Sequence, residues 1–127
     1  MNKQPPCPCG SGKTYAICCA PLHQGRPAAS AEALMRSRYC AYVLMLETYL
    51  RATWDAATCP GDLALSTEPR PKWTGLEIRA YQEAGDTAKV EFIARYKLGG
   101  RAHRLHEVSR FRRQDERWIY VDGEFAA

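Results

Sequence analysis

Along residues 31 to 54 the apolar side chains Leu34, Ala41 and Met45, with Tyr42 and Tyr49, recur at three- and four-residue intervals. That spacing predicts an amphipathic helix. Ser30 is a good N-cap and Glu32 suits the first turn, so the helix starts near Ala31. A run on to Trp54 would measure roughly 36 Å at 1.5 Å per residue, too long for a compact domain of this size. A break is therefore expected at Glu47-Thr48, leaving one helix through about Leu46 and a second carrying Tyr49, Leu50 and Trp54. Cys40, set in the apolar face, reads as a small core residue. Residues 59–72, "CPGDLALSTEPRPK", hold three prolines and end the helical part. The period then changes to two, at Leu76, Ile78 and Ala80 and again at Val90, Phe92, Ala94, Tyr96 and Leu98, which predicts strands buried on one face. Gly85-Asp86 and Gly99-Gly100 read as turns. Two helices followed by an antiparallel sheet make an α+β domain.

If Gly99-Gly100 is a two-residue turn, the register of its hairpin follows. Tyr96 faces His103, Ala94 faces Leu105, Phe92 faces Glu107, Val90 faces Ser109 and Ala88 faces Phe111, and paired residues share a face. Polar groups thus fall on the apolar side. A buried carboxylate needs a partner or water, and Arg38 on the first helix is the candidate partner of Glu107. His103 and Glu107 lie roughly 13 Å apart along the strand, too far for a catalytic pair. The candidate pocket comprises Arg38, Tyr96, His103, Glu107, Ser109 and Tyr120. The other face sets Lys89 against Arg110 and Arg95 against Arg104, with only Glu91 as an acid on the hairpin, which suggests either solvation or an acidic partner such as RNA. In the last strand, Trp118 and Tyr120 alternate with Ile119 and Val121. A four-residue loop, Arg113 to Glu116, would place Trp118 and Tyr120 beside Phe111 and Ser109.

The N-terminal stretch "CPCGSGKTYAICC", residues 7–19, changes the picture. Its Gly-Ser-Gly-Lys-Thr core suggests a phosphate loop, but the first glycine such a loop requires falls on Cys7 and no apolar strand precedes it. Four cysteines within thirteen residues suit a tetrahedral zinc site instead. Cys7, Cys9, Cys18 and Cys19 are the candidate ligands, Gly10 and Gly12 permit the tight turn, and Thr14 is a candidate cap for a short helix carrying Cys18 and Cys19. Neighbouring helical residues point about 100° apart, so both of these can ligate only where the helix frays. His23 is an alternative to one of them. Residues 21–30, "PLHQGRPAAS", read as a linker, giving a knuckle over 1–22, a linker over 23–30 and the α+β domain over 31–127. The chain is 46% hydrophobic and 25% charged, with a net charge of +4, typical of a folded soluble protein. Clustered thiols, no signal-peptide core and no apolar run of membrane length point to the cytoplasm.

The same thirteen residues resemble the SEC-C motif, the zinc-binding element that ends the bacterial preprotein translocase motor and there contacts a chaperone. "EALMRSRYCAYV", "RAHRLHEVSRF" and "RWIYVDG" resemble the bacterial YchJ family, whose members join that motif to a nuclear transport factor two-like domain. The resemblance implies a cone-shaped, cystatin-like fold with helices packed on a curved antiparallel sheet. It further implies a structural Zn²⁺ held by Cys7, Cys9, Cys18 and Cys19, and a knuckle that binds another protein. Relatives of this fold often enclose a pocket, some catalyse reactions there, and many dimerise through the sheet. The expected function is an adaptor acting through the knuckle; the alternative is a small-molecule-binding or catalytic protein using the pocket.

Overall fold

The computed structural model describes residues 5–126. A single 3-10 turn, Tyr15–Ile17, is followed by helices α1 (Ala20–His23), α2 (Ala31–Leu44) and α3 (Glu47–Ala52). Strands β1 (Lys72–Ala84), β2 (Thr87–Leu98), β3 (Arg101–Gln114) and β4 (Arg117–Phe125) then form one antiparallel meander in the order β1-β2-β3-β4. Helix α2 begins as its sequence dictates, with Ser30 Oγ accepting a hydrogen bond from Ala33 N at 3.1 Å. It ends earlier than the spacing predicts. Met45 adopts a left-handed conformation (φ 60°) and its N–H returns to the carbonyls of Ala41 and Tyr42, closing the helix. That reversal turns Met45 outward instead of into the buried face.

The β2–β3 register is the one the Gly-Gly turn implies, from Leu98 opposite Arg101 to Ala88 opposite Phe111. Gly99 and Gly100 both have positive φ, which a two-residue turn of this twist needs. β1 departs from simple alternation. A bulge between Ile78 and Ala80 inserts Arg79, so Tyr81, not Ala80, faces the core opposite Val90. β4 departs too. Its turn is the two-residue Asp115-Glu116, with φ of 52° and 65°, and a shift after Arg110 follows. Tyr120 therefore lies opposite Phe111 and Trp118 opposite Arg113, two residues along β3 from the pairing a four-residue loop would give, so both still face the helices.

The core lies between α2 and the inner face of the sheet, where Leu34, Met35, Tyr39 and Cys40 meet Val90, Phe92, Ala94, Phe111 and Trp118. Cys7, Cys9 and Cys19 belong to the same cluster, so the N-terminal knuckle is packed into the core rather than tethered beside it. On the outer face, acids from flanking segments relieve the basic hairpin: Glu77 meets Arg95 at 3.0 Å, Asp122 and Glu124 meet Arg110 at 2.6 and 3.0 Å, and Asp55 meets Arg112 at 3.0 Å. The hairpin alone shows only Glu91, which is why its own sequence overstates the positive charge. No helix among the described residues is long and apolar enough to cross a membrane.

Candidate metal centre and the recess behind it

Residues 5–15 form a tight loop before the first helical turn. Pro6 bridges to Thr14, Cys7 N–H donates to Lys13 O at 2.9 Å, and Tyr15 N–H donates to Pro5 O at 3.1 Å. Gly10 and Gly12, with φ of 78° and 89°, make the reversal that returns the chain beside Cys7. Thr14 precedes the 3-10 turn but its side chain makes no cap, so backbone bonds alone start that turn. The turn stops at Ile17. Cys18 then takes φ −103°, ψ −92°, and Cys19 sits at the start of α1. The interruption lets adjacent side chains point the same way, which an unbroken helix forbids.

The Sγ atoms of Cys7, Cys9, Cys18 and Cys19 all lie within 4.8 Å of one another. Cys9–Cys18 is 3.6 Å and Cys18–Cys19 is 3.9 Å. A tetrahedron with 2.3 Å metal–sulfur bonds has sulfur–sulfur edges of about 3.8 Å, so the cluster matches that geometry and its soft donors fit a thiophilic ion. Ser11 Oγ lies 3.1 Å from Cys18 Sγ, and Arg36 Nη1 donates to Cys9 O at 2.9 Å. Both tie the loop in place. Burial pushes the Cys7 thiol up to about 12, whereas hydrogen bonding from Cys19 is the main cause that brings Cys9 down to about 4. Cys19 is itself pushed up, first by its hydrogen bond with Cys40 and then by that with Cys9. A bound cation would release the protons that these thiols hold.

Two neighbours of the cluster carry information that spacing along the chain does not. Cys40 Sγ lies 4.0 Å from Cys7 Sγ. It is a core residue, as its helical position suggests, but the core there is the wall of the thiol cluster. His23 stands outside the cluster. Its Nε2 donates to Ser37 O at 2.8 Å and its Nδ1 accepts from Tyr15 OH at 2.8 Å, so the ring docks the knuckle on α2.

On the sheet side of α2 lies a recess of about 240 Å³ lined by Arg38, Tyr42, Trp73, Glu107, Ser109 and Tyr120, among others. The anticipated Arg38–Glu107 pair does not form. Arg38 Nη1 donates to Leu50 O at 2.9 Å and Thr53 Oγ1 at 2.7 Å, and the guanidinium lies 4.7 Å from the ring centroid of Trp54 and 4.6 Å from that of Tyr120. The early end of α2 folds α3 back, and the Leu50 carbonyl and the Thr53 hydroxyl at its end take the arginine. Glu107 instead accepts from Ser109 Oγ at 2.5 Å and Tyr120 OH at 3.0 Å, both at Oε2. Burial, followed by the Glu107 charge, raises the Tyr120 hydroxyl's pKa, so it stays a donor. Tyr96 and His103 share this face but lie outside the recess, stacked on each other with ring centroids 5.3 Å apart and His103 exposed. The Gly-Gly hairpin overreaches the helices that cover its base. Trp54, expected on the second helix, lies beyond its end at Ala52, and with Tyr39 and Trp73, which no sequence pattern marks, it lines the recess where a helix, a loop and the start of β1 converge.

Helices closing the concave side of a four-stranded antiparallel meander, with a four-thiol knuckle built into the same core, define an α+β protein of the NTF2-like class carrying a candidate metal centre. Residues 30–123 match the family described as "YchJ, middle NTF2-like domain", and residues 6–21 match the SEC-C motif. The chain belongs to the YchJ family. A UPF0225 protein of Cupriavidus metallidurans is 54% identical over 127 residues, spanning 94% of this chain and 88% of the relative. One from Ralstonia nicotianae is 52% identical over 130 residues, spanning 93% and 90%. Among solved structures, the solution structure of a SEC-C motif containing protein from Rhodopseudomonas palustris is 40% identical, covers all of both chains and superposes with a TM-score of 0.86. The crystal structure of such a protein from Psychrobacter arcticus is 27% identical, covers 95% of this chain and 82% of its own, and has a TM-score of 0.79.

Proposed function

We propose that this protein binds one structural Zn²⁺ through Cys7, Cys9, Cys18 and Cys19 and uses the knuckle so formed to dock another protein. The convergence of four thiols at tetrahedral spacing carries the reading. Zinc suits an all-thiolate tetrahedron, and four protein ligands leave no open position for a reacting water. The ion therefore acts through shape. Once fixed, the loop between the cysteine pairs presents Ile17, 70% exposed although large and apolar, a few residues from the exposed Lys13. An apolar anchor on a rigid, partly cationic loop is the chemistry of a protein-docking site. The six free thiols are consistent with a reducing compartment, the cytoplasm.

Native mass measurement should find one zinc per chain, and cobalt substitution should give the absorption of a tetrahedral tetrathiolate. Ile17→Glu should keep the metal and the fold while losing capture of the partner; Cys7→Ser with Cys9→Ser should lose both metal and capture. A metal-free chain, or a capture that Ile17→Glu leaves intact, rejects the proposal.

A further inference from the structure

The recess holds two ionic groups that the knuckle does not use. Arg38 is 3% exposed, yet no carboxylate among the described residues pairs with it. Its Nε and Nη2 make no hydrogen bond to a described residue. Glu107 is held from one side only: both of its bonds end on Oε2, and Oε1 makes no hydrogen bond to a described residue. A buried charge such as Arg38 is ordinarily paired, because an unpaired one loses its hydration without compensation, and Glu107 beside it is half-buried. Here cation and anion stand one tyrosine apart. The Tyr120 ring lies under the guanidinium and its hydroxyl touches Glu107.

We propose that the recess binds a small aminocarboxylate with an apolar side chain, its ammonium received by Glu107 Oε1 and its carboxylate by the free edge of Arg38. A monoanion would satisfy Arg38 but face Glu107; an amine would do the reverse. A zwitterion meets both groups at once. The walls of Tyr39, Tyr42, Trp73 and Phe92 offer apolar and aromatic contact to the side chain. The volume of about 240 Å³ falls below the usual range of about 300–1,000 Å³ for drug-sized ligands, which sets the scale at a single amino acid.

The test uses the full zinc-loaded chain and three molecules of one shape: L-phenylalanine, 2-phenylethylamine, which lacks the carboxylate, and 3-phenylpropionate, which lacks the amine. Each is titrated while the Trp73 indole and Glu107 side-chain resonances are followed by NMR. Phenylalanine should bind at least roughly tenfold more tightly than either single-charge analogue, the factor expected from one added charge-assisted contact. Glu107→Gln can still accept from Ser109 and Tyr120, so it should fold; it should weaken phenylalanine roughly tenfold and leave 3-phenylpropionate unchanged or improved. Equal affinity for the three molecules, no binding up to about 10 mM, or an affinity for phenylalanine that Glu107→Gln leaves intact overturns the proposal. Zinc content measured on the same samples separates a failure of the recess from a failure of the knuckle.

Discussion

Gly123 shows how one missing side chain shapes the recess. It pairs with Ser109 across β3 and β4, and a Cβ there would collide with the carboxylate of Glu107. Gly123→Ala should swing Glu107 away from Ser109 and Tyr120 and lower the unfolding free energy by about 1–3 kcal/mol, measured by urea denaturation. An unchanged midpoint would show that the carboxylate is not fixed there. His23 supplies a pH dependence. Burial holds its pKa below the ordinary value, so the folded chain keeps the ring neutral while the unfolded chain protonates it at about pH 6.5. Its contribution to stability is complete above about pH 6.5 and declines as the pH falls toward the lower, folded value. Denaturation at about pH 7.5 and about pH 5.5 should show this loss, and His23→Gln should flatten it, with zinc content held constant. The position of Glu107 was legible in the sequence, because two glycines set the register of its hairpin. Its partners were not, since which donors reach a carboxylate depends on where β4 and α3 arrive.

At the scale of elements, the legible parts are those governed by local rules: the Ser30 cap, the change of period from helix to strand, and the Gly-Gly hairpin. Each miss is a place where tertiary packing overrode a weaker local signal. Met45 takes a left-handed conformation without being glycine, the bulge at Arg79 exchanges Ala80 for Tyr81, and Asp115-Glu116 turns with positive φ at both residues, which Asp tolerates and Glu does not favour. The last of these gives a direct expectation. Glu116→Gly should relieve left-handed strain of about 1–2 kcal/mol, offset in part by glycine's greater freedom in the unfolded chain. The net gain is about 0.5–1 kcal/mol, visible as a higher urea midpoint with an unchanged slope. A lower midpoint would mean that the Glu116 side chain contributes more than its backbone costs.

At the scale of the molecule, knuckle and sheet cannot be treated as separate bodies, because Cys7, Cys9 and Cys19 share a core with Leu34, Met35 and Tyr39. The stretch expected to be a linker, 23–30, does not uncouple them. Stripping the metal with a chelator should therefore lower the stability of the whole chain, by about 3–4 kcal/mol relative to zinc at a hundredfold to thousandfold excess over its Kd. Thermal unfolding should remain a single transition in the loaded protein. If the chelated protein kept its melting temperature, the knuckle would be an ornament on a self-sufficient domain.

Helix α2 has its two flanks committed to different tasks, Arg36 and Cys40 bracing the thiol cluster while Arg38 and Tyr42 line the recess. A rod of 14 residues held this way cannot yield on one flank without moving the other. Should the proposed zinc and ligand sites communicate through that rod, reciprocity requires each occupant to change the other's affinity by one common factor. A zinc titration repeated with L-phenylalanine present would read that factor and its sign.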